Sequence, residues 1–144
     1  MLFSIEVECK FEEVYSSGDI QQGGLLIKDD MLRYEYFSND LYTIILKMKN
    51  QLLVDNDTKI VQQINDNKEL INILHEALSS YPNITEEYNN EEFMIKVTKS
   101  SSNFIQRISL QSPSIAMSLN LHSCIFKEIN NKYFNHFDFI EYPY

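Results

Sequence analysis

Apolar and polar residues alternate over much of this chain, the pattern of β-strands with one buried and one wet face. Ile5, Val7, Cys9 and Phe11 fall on one side of a first strand, and Glu6, Glu8, Lys10 and Glu12 on the other. A turn at Ser16-Ser17-Gly18-Asp19 leads into a strand over 23–28. Asp29-Asp30 then marks a hairpin into 31–36, where Leu32, Tyr34 and Tyr36 share a face. The run 41–48 sets Tyr42, Ile44, Leu46 and Met48 opposite Thr43, Ile45, Lys47 and Lys49. Lys49-Asn50 turns it into 52–54, and Asn56-Asp57 leads to a strand over 59–64. The period changes over 66–80, where Leu70, Ile71, Leu74, Ala77 and Leu78 recur at helical spacing with Asp66 or Asn67 as cap. Tyr81-Pro82-Asn83 ends that helix. Strands resume at 92–98 with Phe93, Ile95 and Val97 inward, then at 104–110 with Phe104, Ile108 and Leu110 inward. In a strand over 114–122, Ile115, Met117, Leu119 and Leu121 alternate with Ala116, Ser118, Asn120 and His122. The aromatic tail over 126–144 predicts a closing strand.

The pattern predicts a single domain over 1–144, mainly β with one helical insertion (α+β), built as an antiparallel meander of about ten strands. Each strand offers an apolar face, and about ten strands at ~4.8 Å spacing make a sheet nearly 50 Å wide. A helix of about four turns is only ~20 Å long and ~10 Å across. The sheet therefore curls. It closes as a filled barrel, folds over as a sandwich, or forms an incomplete barrel wrapped over the helix with an apolar hollow for a ligand. In the third case Leu26, Leu32, Tyr34, Tyr36, Ile44, Leu46, Met48, Met117 and Leu119 line the hollow. Leu70, Ile71, Leu74 and Leu78 then form the underside of a helical lid over about 68–79. A packed interior is the commoner outcome for a sheet of this pattern.

Charge and chemistry narrow the reading further. The 144 residues carry 12 Lys and Arg against 21 Asp and Glu, a net charge of −9, which disfavours a nucleic-acid phosphate backbone as partner. No apolar run approaches the ~18 residues of a membrane-spanning helix, and the opening 1–5 is shorter than a signal peptide's apolar region. His75, His122 and His136 are scattered, and there is no zinc-protease, nucleophile-elbow or phosphate-loop motif, so neither catalysis nor a metal or other cofactor is expected. Adjacent carboxylates at Glu12-Glu13, Glu86-Glu87 and Glu91-Glu92 face opposite sides of a strand and read as solvated faces and turns. The glycosylation sequons at Asn56 and Asn83 are too short a pattern to carry weight. Cys9 and Cys124 both sit in a Cys-x-Phe context on an apparent inner face. Either they pair across neighbouring strands or they remain two buried thiols, with export tilting the choice to a disulfide.

The stretch 23–48 goes beyond periodicity. Gly23-x-Leu25-x-Ile27-Lys28, then Leu32-Arg33-Tyr34-Glu35-Tyr36, then Leu41-Tyr42-Thr43-Ile44-Ile45 resembles the outer-membrane lipoprotein carrier family, LolA. Lys28 stands at the family's Arg, Asp29 at its Pro, Leu32 at an aromatic position and Tyr34 at a Trp. The resemblance implies an incomplete antiparallel barrel with a helical lid. It also implies a monomeric periplasmic carrier, with Lys28 near the cavity mouth in contact with the lid. The implied cargo is lipoprotein acyl chains or another amphiphile, received from an inner-membrane ABC transporter and passed to an outer-membrane receptor. Since each buried CH₂ contributes about 0.8 kcal/mol, such a lipid does not cross water unaided. The rival expectation is a packed β-domain whose aromatic tail binds a partner protein and which carries no lipid.

Overall fold

Alternation becomes a sheet here because each short turn returns the chain beside the strand it has just left. The computed structural model describes residues 5–48, 50–63 and 68–144. Among the described residues ten strands are formed: β1 (Glu6–Tyr15), β2 (Ile20–Lys28), β3 (Met31–Tyr36), β4 (Tyr42–Lys47), β5 (Asn50–Asp55), β6 (Val61–Gln63), β7 (Glu87–Asn89), β8 (Met94–Lys99), β9 (Ile105–Gln111) and β10 (Ala116–Phe126). One helix, α1 (Glu69–Ser79), lies between β6 and β7. The strands make one open antiparallel sheet in the order β6-β5-β4-β3-β2-β1-β10-β9-β8-β7. Asp29 takes the left-handed conformation at the β2–β3 turn, with φ 55°, a geometry that Asp tolerates better than most residues.

This order gives the helix its place. From β1 to β6 the chain walks out to one edge, and from β7 to β10 it walks back from the other edge until β10 pairs with β1. The connection that carries α1 must therefore cross a face of the sheet. Leu70, Ile71, Ile73, Leu74, Ala77 and Leu78 are buried on that face, in one cluster with side chains of β1–β4 and β8–β10. Among them are Phe11, Leu25, Tyr34, Ile44, Leu46, Ile95, Ile108 and Leu119. Cys9 and Cys124 are joined in a disulfide between β1 and β10. The register of these strands shifts there, between Glu8 and Lys10, and Ser123 sits at φ 53°. The extra residue of this bulge on β10 restores Cys124 to the inner face.

The closing strand expected over 126–144 is not formed: Phe126 ends β10, and no strand follows it among the described residues. The chain turns away from the end of β10, which β1 pairs as far as Phe126 and β9 pairs over Ala116–Asn120. The tail instead forms a short 3-10 helix, Asn131–Phe134, in which the Asn130 side chain accepts from the backbone N–H of Lys132 at 2.9 Å. It lies on the outer face, where Ile129 and Phe134 pack with Leu26 in a second apolar cluster flanked by Met31, Tyr133, Tyr142 and Tyr144. Leu26 therefore does not line the inner face. The adjacent glycines serve both layers: a Cβ on Gly23 would run into the Phe11 ring inside, and one on Gly24 into the Tyr144 ring outside.

Other expectations shift too. Met48 sits at the β4–β5 turn with φ 52° and is 77% exposed, so it lines nothing. β7 was not foreshadowed, since three residues are too few to show alternation. Of the strand expected over 59–64, β6 covers Val61–Gln63 and position 64 lies outside the described residues, as do the caps expected at 66 or 67 and the opening 1–4.

Candidate functional site: the helix-covered inner face and its polar end

The inner face is apolar in its middle and polar at one end. Leu32, Ile44, Leu46 and Leu119 are all buried in the cluster beneath α1, and Met117 packs partly buried against its edge. Phe11 stacks on Tyr34 with ring centroids 4.1 Å apart, and Tyr36 meets Tyr34 edge-on at 5.5 Å. Seven of the nominated lining positions thus come together: Leu32, Tyr34, Tyr36, Ile44, Leu46, Met117 and Leu119. The space between them and the helix is filled by Leu70, Ile71, Leu74 and Leu78, the four residues expected on the lid's underside, together with Ile73.

At the polar end stands Glu13, which is fully buried rather than solvated. β1 alternates without interruption, so position 13 follows 7, 9 and 11 onto the inner face; the parity of its own strand was the signal that identifies it. Its carboxylate accepts from the Tyr15 hydroxyl at 2.6 Å, from the Tyr36 hydroxyl at 2.7 Å, and from the Tyr34 hydroxyl. The Lys68 ammonium lies 3.3 Å away. Lys68 also donates to the Tyr36 hydroxyl and stands over the Tyr36 ring, 4.6 Å from its centroid. Burial, reinforced by the negative charge of Glu13, pushes the Tyr34 and Tyr36 phenols well above their ordinary range. Burial also pushes the Lys68 ammonium down, outweighing the pull of Glu13.

The start of α1 is tied to the sheet at this same point. Lys68 is the N-cap residue and makes no cap bond with its own side chain. Gln51 of β5 supplies the partners instead: its carbonyl oxygen accepts the Lys68 backbone N–H at 2.9 Å, and its amide donates to the Lys68 carbonyl at 3.2 Å and to Asn72 Oδ1 at 2.9 Å. A groove of about 480 Å³ opens onto this corner, lined by Tyr15, Asp19, Gln21, Tyr36, Tyr42 and Lys68 among others. Two further surface grooves lie elsewhere, one of about 410 Å³ beside Phe104, Cys124 and Phe126, and one of about 470 Å³ beneath the end of α1 at Ala77 and Tyr88.

Lys28 falls away from this site. Its ammonium pairs with Glu6 at 3.3 Å and donates to the carbonyl of Ile129 at 2.7 Å, so it holds a carbonyl of the tail and not of the helix. Arg33, on the same outer face, is fully buried beneath the tail. It bonds Glu35 at 2.6 Å and the carbonyls of Tyr133 and Ile140 at 3.1 and 2.6 Å, with the Phe139 ring 4.4 Å away. The aromatic tail is thereby occupied within its own chain, although Phe137 stays 86% exposed. Among the described residues no group of His, Cys, Asp or Glu has the arrangement of a metal site, and no helix is long and apolar enough to cross a membrane. Asn56 of the first sequon is buried, bonding Thr43 and the Tyr36 and Ser38 carbonyls. No family model and no curated protein matches this sequence.

Proposed function

We propose that this chain is an acyl-chain carrier, in which α1 is a movable cover over the inner face and a lipid chain takes its place when cargo is bound. One observation carries the reading: among the described residues, the apolar inner face of a wide sheet is covered by one eleven-residue helix, set in the crossover between the sheet's two edges, with Tyr81 and Ile84 of the segment that follows it. The exchange is close to balanced in energy. Leu70, Ile71, Ile73, Leu74 and Leu78 contribute about 2 kcal/mol each on burial, or about 10 kcal/mol together. An acyl chain of about fourteen carbons at ~0.8 kcal/mol per CH₂ contributes about 11 kcal/mol. A near-balance is what a carrier needs, because cargo must be both taken up and given back. Leu32, Tyr34, Tyr36, Ile44, Leu46, Met117 and Leu119 are the proposed contacts for the chains.

The resemblance of 23–48 to the outer-membrane lipoprotein carriers supplies the rest of the proposal: lipoprotein as cargo, an inner-membrane ABC transporter as donor and an outer-membrane receptor as acceptor. The Cys9–Cys124 disulfide accords with an oxidising compartment such as the periplasm. A docking role for the aromatic tail is the weaker reading, because the tail is packed on its own sheet. The test is native mass spectrometry of the detergent-free protein mixed with a synthetic triacylated lipopeptide. A one-to-one complex that a non-acylated peptide of the same sequence does not form is the expected result. Equal behaviour of the two peptides at tens of micromolar overturns the proposal.

A further inference from the structure

We propose that Lys68 is a releasable latch: its ammonium, seated on Glu13 and Tyr36, holds the first turn of α1 to the sheet and sets how readily the helix lifts from the inner face. The inference rests on the carrier reading for its purpose and adds the element that controls the cover. Three observations carry it. The polar ties of α1 to strands gather at its first turn, where Lys68 reaches β1 and β3 through Glu13 and Tyr36 and Gln51 of β5 grips Lys68 and Asn72. Further along, Leu74, Ala77 and Leu78 meet the sheet through apolar contact, which can be exchanged for a hydrocarbon chain without breaking a hydrogen bond.

The second observation concerns what is left behind. Removing one partner of a buried ion pair is normally costly because the other charge is stranded. Glu13 is not stranded, since the hydroxyls of Tyr15, Tyr34 and Tyr36 continue to donate to its two oxygens after Lys68 departs. The carboxylate thus keeps three hydroxyl donors when the ammonium leaves. Third, the Lys68 side chain keeps about a quarter of its surface (23%) exposed and lines the 480 Å³ groove, so the ammonium leaves directly into water. The downward push of burial on its proton affinity agrees with an ammonium held short of full hydration.

Hydrogen exchange followed by mass spectrometry tests the latch without any cargo. In Lys68→Met, amides of the helix should exchange at least tenfold faster than in the wild type while those of β1 and β2 keep their protection, and Lys68→Arg should restore slow exchange. Unchanged protection of the helix in Lys68→Met overturns the proposal, as does a uniform loss across helix and sheet. If Lys68→Met fails to fold, Lys68→Gln replaces it, keeping one donor towards Glu13 without the charge, with the same two criteria. A parallel measurement with the fluorescent lipophilic probe N-phenyl-1-naphthylamine separates this inference from the one beneath it. Faster helix exchange with no probe uptake by either protein supports the latch and counts against the carrier. Probe uptake by both proteins at equal rates, with helix exchange unchanged, counts against the latch and leaves the carrier standing.

Discussion

The phenols around Glu13 make the alkaline limit of this fold calculable. Tyr34 and Tyr36 are buried against a carboxylate, and their ionisation is pushed far above the ordinary range, chiefly by burial and then by the charge of Glu13. Such groups stay protonated in the folded chain while the unfolded chain loses their protons from about pH 10 upward. The unfolded state then binds fewer protons, so stability is fully present below pH 10 and falls as pH rises beyond it. Each phenol removes about 1.4 kcal/mol by pH 11 and a similar amount per further unit, so the pair removes about 3 kcal/mol by pH 11. That is a large share of the 5–15 kcal/mol typical of a domain. Absorbance at 295 nm, which follows tyrosinate, and far-ultraviolet circular dichroism should be recorded together against pH. The tyrosinate signal of Tyr34 and Tyr36 should appear only in the cooperative step that abolishes the sheet. Replacing both Tyr34 and Tyr36 by Phe should shallow that pH dependence. If all nine tyrosines titrate near pH 10 in a chain that keeps its dichroism, the burial argument fails.

Arg33→Met should destabilise by about 3–5 kcal/mol in urea, because Glu35 and the Tyr133 and Ile140 carbonyls lose their buried cation; a loss under 1 kcal/mol would show the tail to be held by its aromatic rings alone. Reducing Cys9–Cys124 opens a loop of 115 residues in sequence separation and should lower stability by about 4–5 kcal/mol in the chain-entropy model, read as the shift of the urea midpoint with and without reductant. An unmoved midpoint would place the constraint elsewhere.

Some positions announce their roles along the chain and others do not. The helix over 66–80 was readable because five apolar residues repeat at helical spacing, and the structure places α1 at Glu69–Ser79 with those same five buried. Leu32, Tyr34, Ile44, Leu46 and Leu119 were readable as one face because strand side chains alternate strictly. Glu13 was legible by the same rule and was obscured by its chemistry, since a carboxylate beside another carboxylate reads as solvated until its hydroxyl partners are seen. Leu26 shows the limit of the rule. In β2 both parities are apolar, Leu25 and Ile27 on one and Leu26 on the other, so the pattern alone does not say that a second layer covers the outer face.

The order of residues by itself determined local matters: where the chain extends, where it coils and which side chains share a face. Those follow from the geometry of a few consecutive residues. Only the tertiary structure decided that β10 returns to β1, that the helix consequently crosses between two open edges, and that the tail lies on the back of the sheet. It also decided that Glu13, Tyr34, Tyr36 and Lys68 meet at the helix start, though Lys68 is 55 positions from Glu13. Such meetings depend on which distant segments pair, a choice made by the free energy of the whole chain and written in no single stretch of it.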